Sequence, residues 1–402
     1  MFIGLNKNKM EKTYSVLVLL IGVFIVSSCN EDTLVKEEVN NNYAIISQYL
    51  NLPETPYSYT PIPPAHAGQF RGDPGDKFLH PEQLKLRNYK ARTGRVLFYD
   101  TRLSHNNTTS CATCHNPENA FADNLKTSLG FDGQSGRRNS LALGNTVGFE
   151  FAYGSGQSSA SAAFSWDDSV ESLQDQIKNA ITSEVEMGLT MDEVVRRVRE
   201  EEFYQVLFEE AGPIRAIDEE FILEALEAFV NGIIATDSKF DREMNAMINP
   251  DPFSDFPGYT EEENLGKKLF NSNCSSCHGT SHTGVVVAAS NNGLELNYED
   301  GGKGEKTNQS EDIGIFKVPF LRNVTLTAPY MHDGRFSTLE EVIDHYSTGI
   351  ANHPNLGRQL RRHEGPKKFD FSSTEKKALI AYLHTLTDIE MTQKDKYSNP
   401  FK

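Results

Sequence analysis

A chain of 402 residues is long for one module and is read as about two domains, each able to bury a core. Its 38% hydrophobic and 24% charged residues are ordinary globular usage, which excludes wholesale disorder and a multi-span membrane protein. A formal charge of -17 disfavours nucleic acid as a partner and favours a small basic protein, against the plainer reading of a solvated acidic face.

In chain order, the apolar run Val16 to Val26 follows Lys7, Lys9 and Lys12 and precedes Ser27, Ser28 and Cys29. It is too short to span a bilayer permanently and reads as an export signal over residues 1–28. The ending VSSC resembles a bacterial lipoprotein box, with Cys29 as the lipidated first residue after cleavage; an ordinary signal with an incidental cysteine is the alternative. Together these predict a chain on the periplasmic side, lipid-anchored to a bacterial membrane. Residues 29–80 are expected to form a tether, acidic from Glu31 to Asn42, then an irregular stretch rich in Pro, Tyr and Gly over 43–80.

A first domain is placed at 81–248. Leu84, Leu86, Val96, Leu97 and Phe98 predict a helix leading to a cysteine pair, and Gly130 to Ser161 reads as a long Gly-, Ser- and Asn-rich loop. Helical spacing returns at Val170, Leu173, Ile177 and Ile181, at Thr190 with Glu193 as capping-box partner, and over Phe221 to Ile234. The Pro-rich Asn249 to Gly258 marks the boundary of a second domain, 249–402. That domain repeats the arrangement: a box at Thr260 and Glu263, a stripe of Leu265, Leu269 and Phe270, a cysteine pair, and a final helix opened by Ser372 and Glu375. No strong period-2 strand occurs, so the fold class is all-α.

Of five cysteines, Cys29 belongs to the lipoprotein box and four form two C-x-x-C-H motifs, Cys111, Cys114, His115 and Cys274, Cys277, His278. Even cysteine counts in exported proteins usually mean disulfides, but the histidines offer another explanation. At this spacing two thiols can add to the vinyl groups of a haem while the adjacent imidazole reaches its iron. A redox C-x-x-C or half a zinc site is the alternative, and two copies, each preceded by a helix, favour two covalently bound haem c groups. The sixth iron position then decides function: filled, the haem carries electrons; vacant, it binds peroxide or oxygen.

The segments TGRVLFYDTRLS before the first motif, RRNS at Arg137, VEMG at Val185, KVPFLRNVTLTAPYMHDG at Lys317 and STLEEVIDHY at Ser337 resemble the bacterial di-haem cytochrome c peroxidase and MauG family, over roughly Thr93 to Thr387. The resemblance implies two cytochrome c-like helical domains with the haems at their interface. It makes His115 the proximal ligand of an active first iron. Where such peroxidases have a capping loop histidine, this chain has Phe131, which cannot ligate, so the first iron is expected to be open unless His105 intrudes. Glu186 and Gln176 match the distal pair, the first moving a proton between peroxide oxygens and the second orienting the peroxide. Trp166, the only tryptophan, matches the aromatic relay between the haems, although its WDDS departs from the usual WDGR. Taken alone, these three would be a salt-bridged glutamate, an exposed helical glutamine and a packed indole.

At the second haem the resemblance makes His278 proximal and Tyr346, fourteen residues after His332, the sixth ligand. Peroxidases usually have methionine there, whereas tyrosine is similar to the MauG branch; Met331, His332 and His345 compete. A phenolate is a hard anionic donor favouring ferric iron, while a thioether favours ferrous. Asn139, Thr327 and Pro329 match positions that bind calcium between the haems, with carbonyl and amide oxygens suited to a hard cation.

Three functions follow. One is a peroxidase reducing hydrogen peroxide to water with electrons from a small redox protein such as cytochrome c. Another is a MauG-like oxidase that uses peroxide to oxidise a partner protein, which Phe131 and Tyr346 favour. The third is a two-haem electron carrier. The oligomeric state stays open, a homodimer included.

Overall fold

The computed structural model describes residues 41–402 apart from 61–65, 67–79, 147–163, 213, 214, 281 and 283. The expected signal, Cys29, most of the tether and the far part of the Gly-rich loop lie outside the described residues. Among those described, no helix is long and apolar enough to cross a membrane. The fold is predominantly helical, with two small antiparallel pairs, Ala289–Ser290 with Phe316–Lys317 and Arg361–Arg362 with Gly365–Pro366.

Each cysteine motif is approached by a helix that crosses a later one at a glycine. Pro81–Tyr99 is buried throughout its second half, Ala91 to Tyr99, and meets Glu219–Asn231 so closely at Gly94 that a Cβ there would lie 1.8 Å from the Ala225 carbonyl oxygen. Glu261–Asn273 meets Ser373–His384 in the same way at Gly266, 1.8 Å from the Ala378 carbonyl oxygen. Only a residue without a side chain permits such an approach. Four residues beyond each glycine a phenylalanine is fully buried, Phe98 and Phe270, and burying a ring of this kind contributes about 1.5–3 kcal/mol. The periodicity Gly-x-x-x-Phe thus sets one helix face against its neighbour in both halves.

The capping boxes at Thr260 with Glu263 and Ser372 with Glu375 form in both directions. At Thr190 only half forms: the hydroxyl accepts from Glu193 N, but the Glu193 carboxylate turns to Arg196 and Arg197 at 2.8 Å. The expectation of irregular chain from residue 43 is corrected by the helix Asn41–Tyr49, whose Ile46, with Leu50 four residues on, is buried in the first core.

Two apolar cores follow the two helix pairs. The first gathers Phe98, Leu207, Phe229 and their neighbours, together with Met391 and Tyr397 from the C-terminal tail. Tyr397 donates to Gly232 O at 2.7 Å, and Arg95 Nε donates to Ser398 O at 2.8 Å. The second, smaller core includes Phe240, Met244, Phe256, Phe270, Tyr382 and Leu386. Beneath it runs a buried polar network. Asp241 accepts two bonds from Arg322, at 2.6 and 2.7 Å, and pairs with His66 Nε2 at 2.9 Å; Arg322 Nε donates to His282 O, and His282 Nε2 lies 2.7 Å from the Tyr382 hydroxyl. Burial alone would raise the Asp241 carboxyl, but Arg322, His66 and Ser238 outweigh it and hold the group well below the usual carboxylate range.

Candidate functional site

Both motifs form single helical turns, Cys111–Cys114 and Ser275–His278, and both open on one continuous cavity of about 780 Å³. The first turn is closed by His115 N donating to Cys111 O at 2.9 Å, the second by His278 N donating to Cys274 O at 3.1 Å. This curvature puts both thiols and the following imidazole of each motif on the cavity wall. No disulfide joins the four cysteines of these motifs, and burial pushes Cys111 and Cys274 up to about 12, Cys114 to about 11, and Cys277 in the same direction.

The imidazoles are held from behind. His115 Nδ1 lies 3.0 Å from Phe121 O, and His278 Nδ1 lies 3.1 Å from Pro319 O. A carbonyl can only accept, so Nδ1 carries the proton and Nε2 keeps a lone pair, the state a metal ligand needs. Burial lowers the pKa of both, His278 to about 4, which keeps the rings neutral. Neutral thiols and oriented neutral imidazoles around a largely apolar cavity fit a covalently attached haem at each turn.

Gln176, on the helix Leu173–Thr182, and Glu186, in the turn that follows, both line the cavity. The Glu186 charge acts on the Cys111 and Cys114 thiols, and burial raises its carboxyl above the ordinary value. Its backbone carbonyl accepts from Phe131 N at 2.9 Å, joining the two loops. The Phe131 ring packs on Gly188 and, at 5.2 Å, on His105, and neither ring lines the cavity. His105 is exposed, so in this arrangement it does not intrude on the first site.

Trp166 lines the same cavity. Its indole Nε1 donates to Asn139 O at 2.8 Å, its own carbonyl accepts from Lys317 N at 2.8 Å, and its ring meets His332 edge to face at 6.5 Å. The WDDS turn closes through Asp167, buried and bonded to Arg138 at 2.7 Å; Arg138 also forks onto Asp300 at 2.7 and 2.9 Å. Sequence reasoning did not single out Arg138 or Asp300, which no local pattern pairs.

At the second turn, Tyr346 lies in one turn of π-helix, His345–Gly349, that continues the helix Leu339–Asp344. Such turns recur at functional sites because they re-aim a side chain. Tyr346 lines the cavity with Cys274 and Cys277, and burial raises its phenol to about 12. Of the competitors, His345 points its Nε2 at Asn292 O, 3.1 Å away, and does not line the cavity. His332 stacks on Phe316 at 3.7 Å. Met331 lines the cavity with its sulfur 3.5 Å from Asn292 Nδ2.

Asn139, Thr327 and Pro329 also line the cavity. However, the Asn139 carbonyl is taken by the indole, its amide donates to Leu125 O at 2.8 Å, and the Thr327 hydroxyl donates to Val324 O. No group of three or more His, Cys, Asp and Glu side chains that could hold a metal occurs among the described residues. The calcium reading gains no support from this arrangement.

Comparison with known proteins agrees with the two-motif layout. Residues 88–247 match the family model described as di-haem cytochrome c peroxidase, and residues 264–387 match the cytochrome c model. The methylamine utilization protein MauG of Methylorubrum extorquens is 32% identical over 319 residues, 76% of this chain and 80% of that protein. The cytochrome c551 peroxidase of Nitrosomonas europaea is 30% identical over 320 residues, 77% of this chain and 82% of its own length. Among solved structures, a MauG-like protein associated with microbial copper homeostasis is 29% identical with a TM-score of 0.64, covering 87% of this chain and 98% of that one.

Proposed function

The chain belongs to the di-haem cytochrome c peroxidase and MauG family of oxidoreductases, which carry covalent haem c, and on that premise we propose that it reduces hydrogen peroxide at its first C-x-x-C-H site. The observation that carries the reading is Glu186, a carboxyl of raised pKa on the same cavity wall as Gln176, Cys111, Cys114 and His115.

Cys111, Cys114 and His115 would hold one haem, and Cys274, Cys277 and His278 the other, at a cavity common to two cytochrome c-like domains. Bound there, haem supplies a metal site for peroxide and a path for electrons. Glu186 takes the proton from the nearer peroxide oxygen and delivers it to the farther, which turns a poor leaving group into water. Two electrons and two protons complete the reduction to two waters. The Gln176 amide orients peroxide by hydrogen bonding, and the His115 Nδ1–H bond to Phe121 O makes Nε2 a stronger donor. Trp166, its indole fixed on Asn139 O, relays electrons between the two sites. A small redox protein such as cytochrome c supplies them, and the acidic chain suits a basic donor. Export through residues 1–28 and a lipid anchor at Cys29 would put this chemistry on the periplasmic side. Calcium is not part of the proposal.

A second reading has its own observation. Tyr346 on the wall of the second site is the hard ligand expected of a MauG-like oxidase, which would draw electrons from a side chain of a partner protein. An electron carrier would need a side chain closing the first site, and Phe131 and His105 both lie off the cavity.

Mixing the resting protein with peroxide, under optical detection, should change the first haem's spectrum at once; an inert spectrum would end the peroxide reading. Steady oxidation of reduced cytochrome c then marks the peroxidase, and its failure with an intact peroxide response marks the oxidase.

A further inference from the structure

The turn that carries the only tryptophan is gripped by one arginine from elsewhere in the first half. Arg138 Nη1 donates to Asp167 Oδ2 at 2.7 Å, while its Nε and Nη2 fork onto the two Asp300 oxygens at 2.7 and 2.9 Å. Asp167 directly follows Trp166, and Asn139, whose carbonyl accepts from the indole Nε1 at 2.8 Å, directly follows Arg138. One guanidinium therefore joins the main chain that carries the indole to the main chain that receives it. We propose that Arg138, clamped on Asp167 and Asp300, is the positioning residue that sets the Trp166 indole on Asn139 O and so fixes the path of electrons between the two haem sites.

Holding two carboxylates from different segments at once requires several N–H groups in fixed directions, which a guanidinium has and an ammonium lacks. Bonds between a cation and carboxylates are short and directional, so they fix the geometry of what they join. The Arg138 neighbour Arg137 supplies a contrast within the same chain. It forks onto Glu305 at 2.8 Å on both oxygens and donates to Glu299 O at 2.8 Å, yet its side chain is half exposed and makes no bond to the Trp166 turn. Arg137 thus fastens the same two segments together without touching the chain that bears the indole.

The clamp belongs to a closed circuit of bonds. Asp300 Oδ1 accepts from Gly302 N at 3.0 Å, and Lys303 N donates to Ile315 O at 2.9 Å, which ties the Asp300 segment to the chain entering Phe316–Lys317. Lys317 N then donates to Trp166 O at 2.8 Å, returning to the tryptophan. The receiving side is held as well, because Asn139 N donates to His332 O at 2.7 Å. Both the donor and the acceptor of the indole bond are therefore referenced to the second half, and Arg138 is the side chain that links one to the other.

This inference deepens the relay role given to Trp166 and rests on it, and the di-haem holoprotein can test the two apart. When the dithionite-reduced protein meets one peroxide, two electrons, one from each ferrous iron, and two protons give two waters and leave both irons ferric, so the second haem's electron must cross to the first site. Stopped-flow absorbance follows that haem. Trp166→Phe should slow its oxidation, and Arg138→Gln should slow it by about tenfold or more, as small misplacements of a working group do, while the first haem responds to peroxide at the wild-type rate. Ultraviolet resonance Raman reads the indole separately, because one tryptophan gives one N–H-sensitive band; Arg138→Gln should move it towards an unbonded indole. Asp300→Asn should move both readouts in the same direction by less, and it replaces Arg138→Gln should that variant lose its haems. Arg137→Gln should leave both at wild type. If Trp166→Phe slows the second haem while Arg138→Gln and Asp300→Asn change neither its rate nor the indole band, the inference is overturned; equal effects from Arg137→Gln would also overturn it, since the pairs would then merely fasten the halves. If Trp166→Phe leaves the rate unchanged, the relay reading fails and with it the electron path, and the indole band alone decides the clamp.

Discussion

The two halves of this chain build the same approach to a haem and then part company on the far side of it. Gly94 and Gly266, Phe98 and Phe270, and His115 and His278 with their carbonyl-held Nδ1 atoms correspond one to one. The first turn shares its cavity with the Glu186 carboxyl and the Gln176 amide, with Phe131 packed away on Gly188. The second turn shares it with the Tyr346 phenol and the Met331 thioether. The proximal half of such a site is thus set by helix packing and repeats readily, whereas the residues that distinguish the two sites arrive from elsewhere in the chain.

If that division is right, the largest effect comes from the proton-handling side. Glu186→Gln should lower peroxide turnover by about 10²- to 10⁴-fold, the range typical of losing a general acid–base, with both haems still attached. Steady-state assay beside a haem stain measures this, and turnover within a factor of two of wild type would remove Glu186 from its role. The corresponding exchange at the second site, Tyr346→Phe, should shift that haem's spectrum and leave the first haem's alone.

The supports beneath the two sites also differ: among the described residues, the ion pair buried at both ends, Arg322 with Asp241, lies with the second core, while Arg92 in the first half pairs with a Glu210 that is partly exposed. Asp241→Ala would leave Arg322 buried without its partner and should cost about 3–5 kcal/mol in denaturant unfolding. The depressed Asp241 pKa makes this contribution fully present above the unfolded-state value of about 3.9 and lost as pH falls below it. Acid titration should therefore loosen the second core first, visible as an earlier change in the second haem's spectrum, and simultaneous loss of both spectra would count against the difference.

A gentler test uses pH on the intact enzyme. Glu186 must be ionised to accept a proton, and burial raises its pKa, so the acid limb of the rate should lie above the ordinary glutamate value of about 4.3. A limb at or below that value would mean that Glu186 is not the group titrating. The smallest effect is expected at the helix caps: Thr260→Ala, which breaks a box formed in both directions, should cost about 1 kcal/mol, and Thr190→Ala less, because Glu193 already turns to Arg196 and Arg197. Thermal unfolding of the pair gives the comparison.

What could be read from the sequence follows the same line. The helices before each motif, the boxes at Thr260 and Ser372 and the C-x-x-C-H turns have local signatures of spacing, and the structure has them where expected. Gln176, Glu186, Trp166 and Tyr346 came from resemblance, since each alone looks like a surface or packing residue, and all four line the one cavity. Other features had no local signature. The Asp241 and Arg322 pair spans 81 residues, and Tyr397 reaches back 165 residues to Gly232. The helix Asn41–Tyr49 was obscured by the Pro-rich segment after it.

The account stands on the inequality of two otherwise matched haem sites, and low-temperature electron paramagnetic resonance of the resting ferric protein measures it directly. One high-spin and one low-spin signal of equal intensity, with only the high-spin one lost at once on adding peroxide, is the predicted result. Two low-spin signals that both survive peroxide would contradict it.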